Sequence, residues 1–373
     1  MSLFLEKKKK IVIKIGSSLL VEEGLMREKW LKNFAVDVAI LVEKKIEIII
    51  VSSGAIALGL NALDVGNKKL SLEEKQAAAA IGQIKLMSFY HDFFKKLNLE
   101  VAQILLTAAD CNSRQRYLNA QNTISTLLKN RVIPVINEND TVAVDEIKIG
   151  DNDRLAARVA QMVSADLMIL FSDIDGLYDK NPKTNKDARL ISEVKLITKE
   201  IENMAGGAGS QVGTGGMVTK ILAAKMLVAS GCETVITNGT SDHALKKLFA
   251  GKQNFTIFPS NVSAANSRKN WLAGFLNAKG EIIINSCAVA ALRNKKISLL
   301  PVGAVGVKGD FKAGEAVFIC DEEGNHVASG VSNYDAFDAK KILEKKSDEV
   351  KKILGKSAKA ELVHIDNLVV VSI

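Results

Sequence analysis

Ile11-Val12-Ile13-Lys14-Ile15-Gly16-Ser17-Ser18 is a β-branched run closed by a small polar turn. A strand with one wet face alternates apolar and polar side chains, so a nearly continuous apolar run is a strand covered on both faces. Runs of this kind recur at residues 46–51, 101–106, 132–136, 166–171 and 234–237. Amphipathic segments of helix length separate them, at 27–44, 72–97, 113–129, 153–163 and 217–230. That alternation predicts an α/β domain with a mostly parallel central sheet covered by helices. Ligands of such sheets gather beyond the carboxyl ends of the strands.

The chain has 373 residues, more than a single core of roughly 250 to 300 residues accommodates, so two domains are expected. After Phe258-Pro259 the pattern changes to a polar stretch and then, from Ala278, to short apolar runs punctuated by glycine. Runs at 281–285, 298–300, 303–307, 316–320, 326–331 and 368–372, with a helix over 339–354, predict a small mixed β-barrel-like module. The expected division is residues 1–260, a linker at 261–277, and 278–373.

Composition excludes several classes. Four cysteines and four histidines are scattered without a C-x-x-C pair, which suggests neither a zinc site nor a disulfide framework. No window reaches the roughly 18 to 20 apolar residues of a spanning helix, so no membrane is expected and a reducing cytoplasm is the simplest location. The formal net charge is +8, yet residues 278–373 hold 14 Lys and Arg against 13 Asp and Glu. Seven of the eight excess charges therefore lie upstream, which favours a basic enzyme handling anions over a basic nucleic-acid module.

Chemistry-bearing residues cluster at the strand ends. Glycines at 206, 207 and 209 precede Gly213-Thr214-Gly215-Gly216-Met217-Val218-Thr219-Lys220, which opens a helix. Backbone N–H groups, the positive helix end and a lysine together make a phosphate cradle, although a flexible connection uses the same residues. The segment is no Walker loop, and Gly355-Lys356-Ser357 has Val350 where that motif needs its first glycine. It also lacks the strand and acidic residue of a Rossmann site.

Lys14, inside an apolar strand, needs an anionic partner if buried; otherwise it is a sheet-end lysine reaching water. Paired with Lys220 it supplies two cations for phosphoryl transfer, which depends on positioning and charge neutralisation. Two such cations repel, so a carboxylate is expected between them, and Asp153 is the candidate. Ser52-Ser53-Gly54 ends the second strand, and Asn137-Glu138-Asn139-Asp140 follows the fourth, leading through a hairpin to Gly150-Asp151-Asn152-Asp153. Asp140 suits an ammonium, whereas Ser53 and the amides of Asn137 and Asn152 suit a carboxylate. Ordinary turn and cap chemistry is the competing reading.

Taken together, these motifs and Asp173-Ile174-Asp175-Gly176-Leu177-Tyr178 resemble those of the glutamate 5-kinases within the amino acid kinase superfamily. The resemblance covers residues 8–260, and the tail resembles a PUA module. It implies a three-layer αβα sandwich and ATP-dependent phosphorylation of the γ-carboxylate of L-glutamate to L-glutamyl 5-phosphate, the first step of proline biosynthesis. By motif position, Lys14 and Lys220 contact the transferring group, Asp153 holds both, and the backbone N–H groups of Gly16 and Gly54 face developing charge. Ser53, Asp140, Asn152 and Asn137 bind glutamate; Lys14, Ser172, Asp173, Thr214, Gly215, Gly216, Met217, Val218, Thr219 and Lys220 bind ATP. Mg2+ is implied with the nucleotide, with no metal ligand assigned. Ser52-Ser53-Gly54 and Ser172-Asp173 depart from the family's Thr-Ser-Gly and Thr-Asp, and both keep a hydroxyl.

The family further implies feedback inhibition by proline, here within residues 112–148 including Glu138 and Asn139, a homo-oligomer (dimer or tetramer), and association with glutamyl phosphate reductase. Rival readings are acetylglutamate, aspartate or uridylate kinase, and, from another class, an RNA-binding protein acting through its C-terminal domain. An acylated amine has no cation for the Asp140 cluster, and the near-neutral tail argues against phosphate-driven RNA affinity.

Overall fold

The apolar runs form strands, as their lack of polar alternation requires, in a computed structural model that describes residues 8–63, 70–142, 152–182, 184–206, 216–228, 230–260, 278–294, 297–355 and 358–370. The chain divides into two units, Met1–Asn112 with Ala120–Ala264, and Ser113–Asn119 with Ala265–Ile373.

Strands of the first unit are β1 (Lys10–Ile15), β2 (Val21–Glu22), β3 (Leu25–Met26), β4 (Glu47–Ser52), β5 (Val101–Leu106), β6 (Ile133–Glu138), β7 (Leu167–Ser172), β8 (Glu233–Asn238) and β9 (Phe255–Phe258). Its helices are α1 (Ser17–Leu20), α2 (Glu28–Glu43), α3 (Ala55–Leu60), α4 (Leu72–Lys95), α5 (Ala108–Asn112), α6 (Arg114–Lys129, of which only the part from Ala120 belongs to this unit), α7 (Asn152–Val163), α8 (Lys199–Ala205), α9 (Met217–Val228) and α10 (Ala244–Phe249). Seven strands form one sheet in the order β5-β6-β4-β1-β7-β8-β9. Pairing is parallel from β5 through β8, and only β9 runs antiparallel, against β8. The mostly parallel sheet is thus as expected from the alternating pattern.

Strand alternation assigns the two faces of β1. Ile11, Ile13 and Ile15 join a core with Trp30 and Phe34 of α2, Leu86, Tyr90 and Phe94 of α4, and Leu245 and Phe249 of α10. Lys14 points the other way, to the face where α7 lies on β1, β4, β6 and β7. Buried Ala156, Ala157 and Ala160 let α7 approach the sheet closely. α9 packs on α7 and β8.

α4 starts with a reciprocal cap in which Ser71 N donates to Glu74 Oε2 (2.8 Å) and Glu74 N donates to Ser71 Oγ (3.2 Å). Such a cap contributes roughly 1 kcal/mol. Gly82 of α4 and Gly59 of α3 allow these helices to touch backbone to backbone: a Cβ on Gly82 would overlap the Ala55 carbonyl, and one on Gly59 the Ala78 carbonyl. Each glycine weakens its own helix by about 1 kcal/mol relative to alanine. The close α3–α4 packing offsets that loss and fixes α4 against the end of β4.

One sequence expectation is corrected in the first unit. Asn137 and Glu138 are not in a turn after the fourth run; they complete β6, paired with Leu105 and Leu106 of β5. The strand pair β2–β3 after α1 had not been anticipated. The expected hairpin beyond Asp140 and most of the glycine-rich loop lie outside the described residues.

In the second unit, β10 (Gly280–Ile284), β11 (Ala304–Gly309), β12 (Ala316–Asp321), β13 (His326–Val331) and β14 (Leu368–Val370) form a mixed sheet in the order β11-β10-β12-β13-β14. Ile282, Val317, Ile319, Val327 and Phe311 centre its core. The run at 298–300 makes only a single bridge, Leu299 to Val363. The helix expected over 339–354 is two helices, Ala336–Lys341 and Ser347–Leu354. Between them Glu344 takes a positive φ of 60°, and its N–H bonds the carbonyls of Pro301 (2.9 Å) and Ala304 (3.1 Å) instead of continuing a helix. No helix is long and apolar enough to cross a membrane among the described residues.

Candidate active site

The carboxyl ends of β1, β4, β6 and β7 surround a cleft of about 400 Å³. Lys14, Gly16, Ser53, Gly54, Asn137, Asp140, Asn152, Ser172, Asp173 and Lys220 all line it. Ten of the residues singled out in the sequence are thereby brought together from six separate segments.

At one end stands a charged trio. Asp153, in the first turn of α7, accepts from Lys14 Nζ at 2.6 Å through Oδ1 and from Lys220 Nζ at 3.0 Å through Oδ2. Thr219, one residue before Lys220 on α9, places its hydroxyl 2.7 Å from the same Oδ2. Lys14, Asp153 and Lys220 are 5%, 1% and 3% exposed, so no snorkelling to water occurs and the sheet-end reading of Lys14 fails. Burial pushes the Asp153 carboxyl up, but the two ammoniums and the Thr219 hydroxyl outweigh it and hold the group below the usual carboxylate range. Two ammoniums against one carboxylate leave the trio positive, which suits an incoming anion.

A second corner is built of amides and hydroxyls. Gly54, at the turn from β4 into α3, has φ +106°, a conformation that strains any residue with a Cβ. Asn152 Nδ2 reaches back to this corner, 3.0 Å from the Ser52 carbonyl and 2.7 Å from Ser53 Oγ, and lies 2.9 Å from Asn137 Oδ1. Tyr90 of α4 donates its hydroxyl to Ser52 Oγ at 3.0 Å. Just beyond β6, Asp140 is half-buried, and burial pushes its carboxyl up to about 6.

Ser172 ends β7 and Asp173 follows it beside the cleft, with Ser172 Oγ 3.2 Å from Asp173 Oδ1. Thr214 and Gly215 lie outside the described residues. Gly216 is exposed, with open space around it among the described residues, and Met217 and Val218 open α9 and are not among the described residues that line the cleft. Among the described residues no group of three or more His, Cys, Asp or Glu stands together to hold a metal.

Sequence reasoning overlooked three residues. Lys75 lines the cleft from the first turn of α4, where a lysine sits against the helix dipole; that misplaced charge was the available signal. Gln83 accepts from Asn137 Nδ2 at 2.8 Å, and Tyr90 lies seven positions further along the same helix. Both are polar groups on the inward stripe of α4, a cue that periodicity alone does not interpret.

Similarity to known proteins identifies the family. The Amino acid kinase family model matches residues 9–238, and the PUA domain model residues 280–354. The chain is 47% identical over 363 residues to a glutamate 5-kinase of Brucella abortus (strain S19), covering 97% of this chain and 96% of that protein. It is 48% identical over 364 residues to the glutamate 5-kinase of Brucella ovis, again covering 97% and 96%. The carbamate kinase structure from Giardia lamblia shows 17% identity and a TM-score of 0.49, covering 68% of this chain and 99% of that one. The chain therefore belongs to the amino acid kinase family, within its glutamate 5-kinase branch, and carries a PUA domain.

Proposed function

We propose that this cleft transfers the γ-phosphoryl group of ATP to the γ-carboxylate of L-glutamate. The observation that carries the reading is Asp153, clasped by Lys14 and Lys220 at the end of a cleft whose other wall offers Asp140 and two amides. A γ-carboxylate oxygen attacks the γ-phosphorus, the bond to the β,γ-bridging oxygen breaks, and ADP leaves with that electron pair. The nucleophile is already ionised near neutral pH, so the step needs no general base. Asp153 accordingly acts as a clamp: it holds two ammoniums where charge develops on the transferred group, and takes no proton itself.

In this reading Lys14 and Lys220 neutralise the equatorial phosphoryl oxygens, aided by the backbone N–H groups of Gly16 and Gly54. Asp140 pairs with the substrate ammonium, while Ser53, Asn137 and Asn152 set the orientation of the amino acid. Ser172, Asp173 and the segment 214–220 serve the nucleotide. When bound with the nucleotide, Mg2+ would supply charge neutralisation on its phosphates, and no protein ligand is assigned to it. Proline, sharing the ammonium and carboxylate of glutamate, is the expected competitor near Glu138 and Asn139. The proposed division is a catalytic part to residue 260, a linker to 277 and the PUA part from 278.

The test is an assay of the purified protein with ATP and, separately, L-glutamate, N-acetylglutamate, L-aspartate and UMP, using hydroxylamine to trap acyl phosphate. Hydroxamate formed with L-glutamate alone supports the reading. Turnover of UMP alone contradicts it.

A further inference from the structure

We propose that Gln83 is a positioning residue for the amino-acid end of the cleft, holding Asn137, and through it Asn152, in the orientation these amides keep beside Asp140. The inference rests on the reading of this cleft as an amino-acid site.

A chain of amides carries it. The Ser52 carbonyl can only accept, so the Asn152 group 3.0 Å from it is the amide nitrogen. That nitrogen also meets Asn137 Oδ1 at 2.9 Å, which turns the Asn137 nitrogen toward Gln83 Oε1 at 2.8 Å. Every orientation in the series constrains the next, because each amide shows an acceptor on one side and a donor on the other. At the end of the series Asn152 Oδ1 is buried with no hydrogen-bond partner among the described residues. Leaving a buried acceptor unanswered costs about 1–3 kcal/mol. Asn137 and Asn152 both line the cleft with Asp140, so the orientation of these amides sets the polar surface that an amino acid meets beside that carboxylate.

α4 holds Gln83 in place at two levels. Its neighbour Gly82 lies against the Ala55 carbonyl, so the helix has no room to shift toward α3. Tyr90, two turns further on, bonds Ser52 Oγ at 3.0 Å, which registers α4 on the same corner that Asn152 reads. Gln83 contributes the acceptor that a methionine of similar length lacks and a glutamate retains.

Steady-state kinetics of the full chain with ATP and L-glutamate test the proposal on the wild type, Gln83→Met and Gln83→Glu. Gln83→Met should raise the glutamate KM about tenfold, with kcat and the ATP KM held within about twofold. Gln83→Glu, which keeps the acceptor, should restore the glutamate KM to within about threefold of wild type. Unchanged KM in Gln83→Met, a loss confined to kcat, or equal damage in both variants overturns the proposal. Gln83→Ala carries the same expectation if Gln83→Met does not fold. Wild-type protein that fails to phosphorylate glutamate sinks the site reading itself, a result distinct from any difference among variants.

Discussion

Asp153 and Asp140 are two aspartates of one cleft that the same burial drives to opposite states. Desolvation raises both; at Asp153 it is outweighed by Lys14, Lys220 and Thr219, whereas at Asp140 burial alone is resolved and the carboxyl rises to about 6. The first has its partners built into the protein. In the proposed reading the second is a carboxylate whose partner the ligand supplies, which is what separates a structural clamp from a recognition group. The cation end should therefore govern turnover and the amide end affinity.

Breaking the clamp gives the largest effect. Asp153→Asn leaves two buried ammoniums facing each other, and we expect kcat to fall about 10³-fold and stability by about 3–5 kcal/mol, read by turnover and denaturant melts. A variant with unaltered stability removes the clamp from the account. The pH dependence has a definite sign: Asp153, depressed, contributes stability present above its unfolded value near 3.8 and lost only as pH falls through its lower folded value.

Asp140 behaves in reverse. Its carboxyl is raised, so burying the charge weakens the free protein as pH rises from about 3.8 through about 6. Glutamate needs the ionised form, so its KM should climb as pH falls below about 6, a limb that Asp140→Asn should abolish while raising KM at least about 30-fold at neutral pH. A pH limb that persists in the variant belongs to another group. Smallest is Lys75→Ala: kcat/KM should drop about threefold at low salt and converge on wild type at high salt, because a half-buried cation at the cleft edge acts mainly by screened attraction. Salt-independent loss would assign Lys75 a direct contact instead.

The sheet and the clamp were legible for the same reason: each violates a simple expectation. Unbroken apolar runs exclude a wet face, and a lysine inside one of them demands an anion, which Asp153 supplies. The end of β6 was not legible, because Asn137 and Glu138 have turn chemistry and only pairing with Leu105 and Leu106 of β5 draws them into the strand. Nor was the break at Glu344, whose N–H is claimed by Pro301 and Ala304, more than thirty residues earlier in the chain. Gln83 escaped notice because helical periodicity identifies an inward stripe and is silent about which amide oxygen faces which nitrogen.

Lys220→Ala, assayed for hydroxamate formation from ATP and L-glutamate beside nucleotide binding and a melting curve, tests the central claim most directly. With the fold retained and nucleotide affinity weakened by no more than about tenfold, turnover should fall about 10³-fold, since the variant loses charge neutralisation needed only during transfer. A folded variant that turns over at close to the wild-type rate would contradict the account.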